Sequence, residues 1–287
     1  MKKIAVIGSG TMGADIAQAV ALADYAVVLY DLSDDLLANS INRIHKSIDE
    51  GVERGKTEPA AADRAKSGIQ LTTSLVEAAH VDLVIEAAPE RMHLKREIFA
   101  ALDEVAYEHT IFSTNTSSLS IDALASATGR QDRFLGIHFF NPAHIMKLVE
   151  LVRGDDTSDA TITAVQTFVT QLGKTAVLCK DTPAFIVNRV ARPFYGEALR
   201  LLGENAADVA TIDKLMKSLG FRMGPFELID LVGSDINYAV TQSVYNAYFQ
   251  EPKYRPHPIQ RRMVESGRLG RKTGRGFYEY GGEGVKG

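Results

Sequence analysis

Six residues constrain this chain more than any others. Gly8-Ser9-Gly10-Thr11-Met12-Gly13 follows the apolar run Ile4-Ala5-Val6-Ile7 without a break. A run of that length suits a buried parallel strand, and Met12, Ile16, Ala19, Val20 and Ala23 then recur at helical spacing. Gly8 permits the tight turn, Gly10 lets a pyrophosphate approach the backbone, and Gly13 lets the helix pack closely on the strand. Thr11 and Met12 open that helix, whose first N–H groups receive phosphates. A second apolar run, Ala26 to Tyr30, ends in Asp31, where a carboxylate accepts hydrogen bonds from an adenosine ribose and repels a 2′-phosphate. Leu32-Ser33-Asp34 brings no compensating base, so NAD is expected over NADP. Asp15 suits the helix dipole but not a neighbouring phosphate, and is expected to point away.

Further strands are expected at 81–85, 110–113, 134–139, 148–152 and 175–179, with helices at 94–106 and 158–172. This alternation predicts an open α/β sheet of Rossmann-like type. Residues 34–67 read as two charged helices joined around Gly55 to Pro59, a helical-hairpin insertion whose basic residues Arg43, Lys46, Arg54, Lys56, Arg64 and Lys66 are suited to a solvated face or an anionic ligand. After Asp181-Thr182-Pro183 the strand-like runs cease and the chain reads as helices to about Glu265, the first of them kinked at Pro193. The glycine-rich 267–278 predicts a closing loop. The domains are thus 1–183, nucleotide-binding, and 184–287, all-helical.

With 287 residues, 45% of them hydrophobic, the chain can bury a large core. A net charge of −4 argues against a nucleic-acid binder. The single cysteine, Cys179, cannot form an internal disulfide and suits a reducing compartment. Met1-Lys2-Lys3 leads straight into a strand, and no apolar run is long enough to span a bilayer, so a cytoplasmic enzyme without membrane association is expected.

The segment Leu135 to Glu150 carries the chemistry. Leu135, Ile137 and Phe139 alternate with Gly136, His138 and Phe140 as in a strand, and Asn141-Pro142 is a turn signal. A following strand brings Glu150 back beside His138, where a carboxylate accepting one ring N–H fixes the tautomer of a general base. An unperturbed imidazole titrates near the working pH of an alcohol oxidation. His45, His80, His93 and His109 lie in helical or connecting stretches, His257 lies between prolines, and His144 lacks a spaced acidic partner. No His, Cys and carboxylate cluster has metal-ligand spacing, and Ser117 lacks the strand-turn-helix elbow of a hydrolase nucleophile.

The motifs GSGTMG (8–13), NTSSL (115–119), HFFNP (138–142), FIVNR (185–189), MGPFEL (223–228) and GRKTGRGFY (270–278) resemble, in order and spacing over the whole chain, those of the L-3-hydroxyacyl-CoA dehydrogenase family in its short, stand-alone form. The resemblance implies NAD-dependent, reversible oxidation of an (S)-3-hydroxyacyl-CoA to the 3-oxoacyl-CoA, short-chain substrates such as 3-hydroxybutyryl-CoA, a place in fatty acid β-oxidation, and a homodimer formed through the helical domain. His138 matches the family's base and Glu150 its partner. Ser117 and Asn188 match residues that position the substrate hydroxyl or thioester oxygen, with Ser117 and Asn141 also beside the cofactor. Gly8, Gly10, Thr11, Met12, Gly13, Asp31, Glu90 and Lys95 fall on cofactor positions, and Ser47 and Arg54 where family members contact CoA. Arg54 replaces a lysine seen in some relatives, and Asp15 stands where glycine is frequent.

Two other readings stay open. A 3-hydroxyadipyl-CoA dehydrogenase would need a base near the acyl tail, for which Lys253, Arg255, Arg261 and Arg262 are candidates. A non-catalytic NAD-binding relative would have lost His138, Glu150 or Asn188, and all three are present. The length leaves no residues for a hydratase domain, so a fragment of a multifunctional protein is not expected.

Overall fold

The structure, a computed structural model, describes residues 1–281. The chain divides into two compact units, Met1–Thr182 and a second beginning at Pro183.

The first unit is built on β1 (Lys3–Ile7), α1 (Thr11–Ala21), β2 (Ala26–Tyr30), α2 (Asp34–Glu53), α3 (Pro59–Ser67), β3 (Ile69–Thr72), α4 (Leu75–Ala79), β4 (Leu83–Glu86), α5 (Met92–Val105), β5 (Ile111–Thr114), α6 (Ile121–Ala125), β6 (Phe134–Phe139), β7 (Leu148–Arg153), α7 (Asp159–Gln171) and β8 (Thr175–Lys180). The strands form one sheet in the order β3-β2-β1-β4-β5-β6-β7-β8. All neighbours are parallel except β6 and β7. β4 and β5 are buried throughout, which is why they read as unbroken apolar or small-residue runs without alternation. Strand order reverses between β1 and β4, which opens a crevice at their carboxyl ends where α/β sheets bind ligands.

One large contiguous cluster makes up much of the core. Ile4 and Val6 of β1, Ile16 and Val20 of α1, Leu83 and Ile85 of β4 and Leu135 and Ile137 of β6 are all fully buried. Each such side chain contributes about 1.5–3 kcal/mol of burial. The expected helical hairpin is α2 and α3, joined across Gly55 to Glu58. It leads from β2 into β3, an edge strand that the sequence pattern did not announce: Ile-Gln-Leu-Thr is four residues long and its middle pair is exposed, so no alternation marks it.

The second unit contains α8 (Val187–Gly203), α9 (Val209–Ser218), α10 (Pro225–Val232), α11 (Ser234–Ala247) and α12 (Pro258–Glu265). Two buried aspartates organise it. Asp213 accepts the Phe226 and Glu227 N–H groups at 2.9 Å each, fixing the start of α10, and the Tyr278 hydroxyl at 2.8 Å. Asp230 accepts the Phe277 and Tyr278 N–H groups, both at 2.9 Å. The closing loop is therefore laid across Asp230, and a β-carbon at Gly276 would stand 2.1 Å from its Oδ1. Glycine is required there by close approach.

Candidate active site

The glycine turn matches the cofactor expectation in its geometry. Gly8 has φ of +100°, and a β-carbon at Gly13 would lie 1.8 Å from the Gly8 carbonyl oxygen, whereas Gly10 has open space before it. Thr11, exposed, and Met12, half-buried, start α1. The turn is braced in two ways that sequence reading missed. Ser9 donates to Asp31 through both its N–H (2.7 Å) and its hydroxyl (2.6 Å), while the Leu32 N–H donates to the second carboxylate oxygen at 2.7 Å. Arg43 of α2 donates to the Gly10 carbonyl at 2.8 Å. Asp31 is thus held rigidly at the end of β2 with lone pairs left to accept ribose hydroxyls. These residues fit a dinucleotide: open backbone at Gly10, helix N–H groups beside it, and a fixed acceptor beyond.

Asp15 is turned toward the loop after β6, where it accepts the Ala143 N–H at 3.2 Å. The His144 Nδ1 lies 3.4 Å from the same oxygen, close enough for an ion pair but without hydrogen-bond alignment. His144 therefore has an acidic neighbour after all, one brought to it by the fold rather than by spacing. Lys174, buried before β8, donates to the Ala143 and Met146 carbonyls at 2.6 and 2.8 Å, and burial pushes its pKa down. The loop that carries Asn141, itself exposed, is pinned from both sides.

His138 and Glu150 face each other directly across the antiparallel β6 and β7. The imidazole Nδ1 is 2.7 Å from Glu150 Oε2, with side-chain exposures of 7% and 1%. A carboxylate only accepts, which puts the ring hydrogen on Nδ1 and makes Nε2 the basic nitrogen. The Phe140 ring packs at 4.5 Å from the imidazole.

A third group of residues forms a hydrogen-bonded chain that runs from buried Glu86 and Lys95 out to exposed Glu90. Lys95 Nζ donates to both Glu86 oxygens, at 2.7 and 2.9 Å, and lies 3.4 Å from Glu90. Thr114 also donates to Glu86, at 2.6 Å. Glu90 in turn accepts the Thr116 hydroxyl at 2.5 Å and the Ser117 N–H at 2.9 Å. Burial pushes the Glu86 carboxyl up, while the Lys95 charge beside it pulls the other way. Asn115, first residue of NTSSL, accepts the Phe139 N–H at 2.8 Å and ties this loop to the end of β6. Ser117, Glu90 and Lys95 are therefore brought together. Glu86 and Asn115 were missed because each looks like an ordinary strand-end residue in sequence.

Ser47 lies on α2 and Arg54 is the residue that caps its C-terminal end, seven positions further on. Arg54 is exposed and pairs with Glu50 at 3.0 Å. In the second unit Asn188 stands in the first turn of α8, preceded by Ala184 and Phe185 in the left-handed region at φ of +67° and +51°. Of the basic candidates for an acyl tail, Lys253, Arg255, Arg261 and Arg262 are exposed, with Arg261 paired to Glu265 at 2.7 Å.

The fold and this arrangement define a dinucleotide-binding protein with a histidine–carboxylate pair on its sheet. Two family models match it: 3-hydroxyacyl-CoA dehydrogenase, NAD binding domain, over residues 3–182, and 3-hydroxyacyl-CoA dehydrogenase, C-terminal domain, over residues 185–280. The chain belongs to the 3-hydroxyacyl-CoA dehydrogenase family. It is 45% identical over 281 residues to a 3-hydroxyadipyl-CoA dehydrogenase of Escherichia coli, covering 98% of this chain and 59% of that relative, so it spans about three fifths of the relative's length. It is 44% identical to a 3-hydroxybutyryl-CoA dehydrogenase of Bradyrhizobium diazoefficiens, covering 98% of this chain and 96% of the other. The crystal structure of (S)-3-hydroxybutyryl-CoA dehydrogenase from Ralstonia eutropha superposes with a TM-score of 0.93 at 42% identity, covering 98% of this chain and all of that one (100%).

Proposed function

We propose that the protein catalyses reversible oxidation of (S)-3-hydroxyacyl-CoA to 3-oxoacyl-CoA with NAD, on short acyl chains such as 3-hydroxybutyryl. The observation that carries this reading is the hydrogen bond between His138 and Glu150. Bound NAD supplies the hydride acceptor for C3 of the substrate. Nε2 of His138 takes the hydroxyl proton, and the Glu150 carboxylate beside Nδ1 stabilises the imidazolium that results. Ser117 and Asn188 hold the substrate oxygens, and Asn141 borders the nicotinamide end. Gly8, Gly10, Thr11, Met12 and Gly13 hold the pyrophosphate, Asp31 the ribose, and Glu90 and Lys95 fix the loop of Ser117. Ser47 and Arg54 hold CoA.

In this reading residues 1–183 bind NAD, while 184–287 contribute to the substrate site and form a homodimer. A cytoplasmic role in β-oxidation belongs to the same reading; among the described residues no helix is long and apolar enough to cross a membrane. The test is NADH formation from (S)-3-hydroxybutyryl-CoA and its consumption with acetoacetyl-CoA. A protein that binds NAD but turns over no CoA ester would be the non-catalytic relative instead. A dicarboxylyl substrate is the second reading, supported by the likeness to a 3-hydroxyadipyl-CoA dehydrogenase.

A further inference from the structure

Arg43, on α2, reaches across to the glycine turn rather than to an acid. Its Nη2 donates to the Gly10 carbonyl at 2.8 Å and more weakly to the Ser9 carbonyl at 3.4 Å. Other cations of the same hairpin are neutralised: Arg54 pairs with Glu50 at 3.0 Å, Arg64 with Asp24 at 2.9 Å, and Lys66 with Asp49. Arg43 forms no ion pair among the described residues. Asp31, the acid at the same turn, gives its hydrogen bonds to Ser9 and Leu32 instead.

Taken alone, that placement is electrostatically unfavourable. The first turn of α1 carries no acidic residue, and the N-terminal end of a helix already holds about half a positive charge. A guanidinium bonded beside it adds charge of the same sign, and a pyrophosphate on the first N–H groups of α1 reverses the balance. One peptide plane links the cation to that ligand. The Gly10 C=O and the Thr11 N–H belong to a single trans peptide unit and point in opposite directions. Arg43 grips the oxygen together with the Ala14 N–H at 2.9 Å, so the Thr11 N–H is aimed out of the helix end, where among the described residues it has no acceptor. A β-carbon at Gly10 would meet nothing within 4 Å. A charged donor on the oxygen also polarises the amide and strengthens its N–H as a donor.

We infer that Arg43 is a positioning residue for the dinucleotide: it fixes and polarises the Gly10–Thr11 peptide toward the pyrophosphate, and its charge offsets that of the diphosphate. The inference rests on the proposed reading in which the glycine turn holds the pyrophosphate of NAD. Its signature is an affinity effect confined to ligands that carry a diphosphate.

The test titrates the native protein, Arg43→Met and Arg43→Lys with NADH by fluorescence, and with ADP-ribose and adenosine as competitors that displace it. ADP-ribose carries the diphosphate, whereas adenosine keeps the ribose for Asp31 and lacks it. Arg43→Met is expected to raise Kd for NADH and ADP-ribose by about tenfold, the range of a charge-assisted hydrogen bond, and to leave that for adenosine unchanged. Arg43→Lys, which restores the charge without the planar fork, is expected to recover part of the loss. The ratio of ADP-ribose to adenosine affinity is taken within one protein, so a loss of folded fraction cancels. Should Arg43→Met not fold, the neutral Arg43→Gln replaces it under the same criteria. Equal weakening of adenosine overturns the inference, because Arg43 then only shapes the turn that Ser9 and Asp31 share. Unmoved constants for NADH and ADP-ribose overturn it as well, and a raised KM for CoA thioesters alongside them would assign Arg43 to the CoA phosphates. No NADH binding by the native protein overturns the dinucleotide reading itself.

Discussion

His138 Nδ1 stands 2.7 Å from the Glu150 carboxylate, and the two residues are directly opposed in the only antiparallel pairing of the first unit's sheet. Directly opposed side chains on one face are closest neighbours, so the strand register keeps ring and carboxylate within reach of each other. His138→Gln is expected to lower kcat by roughly 10²- to 10⁴-fold with NAD affinity nearly intact. Glu150→Gln should do similar damage, and the double variant much less than their product. Full additivity in a double-mutant cycle would break the partnership.

Asp31 both ends β2 and anchors Ser9 of the glycine turn. Asp31→Ala is expected to weaken NAD binding by about 1–3 kcal/mol and to relax discrimination against NADP. Ser9→Ala separates the two roles, since it loosens the turn without removing the acceptor. Fluorescence titration with both cofactors measures this; a native protein that prefers NADP would sink the assignment.

Glu86 and Lys95 are 0% and 1% exposed. Glu86→Gln leaves the Lys95 ammonium beside a neutral amide and is expected to cost about 3–5 kcal/mol in urea unfolding, whereas Glu86→Gln with Lys95→Met should recover much of that loss. An unfolding midpoint unchanged by Glu86→Gln would mean that water already reaches the pair.

Arg54 caps the C-terminal end of α2, the helix that carries Ser47. Arg54→Ala is expected to raise KM for CoA thioesters more than for pantetheine thioesters, which lack the nucleotide. Equal changes for the two substrates would remove Arg54 from the CoA site.

Cys179 lies on β8 beside β7, and burial, with smaller contributions from the Glu150 and Asp181 charges, pushes its thiol up to about 12. Thiolate reagents at pH 8 should therefore label the native protein at least about tenfold more slowly than the urea-unfolded chain. Labelling should accelerate as pH rises toward that value. Equal rates at pH 8 would contradict the half-buried, protonated thiol.

The sequence by itself determined the elements whose signal is local. The glycine turn, Asp31 at the end of β2, the α2 and α3 hairpin and the pairing of His138 with Glu150 were all legible, because a strand, a tight turn and a two-strand return each leave their mark within a short stretch. The tertiary structure alone decided what long-range packing creates. Asp15 meets the loop at Ala143 and His144 from 128 residues away, Glu86 gathers Lys95 and Thr114 from two other elements, and Arg192 is stripped of water between α8 and α11. No spacing rule encodes these, since burial and charge compensation depend on which surfaces the whole chain brings together. The same reason hid β3, whose four residues are a strand only because β2 offers them an edge.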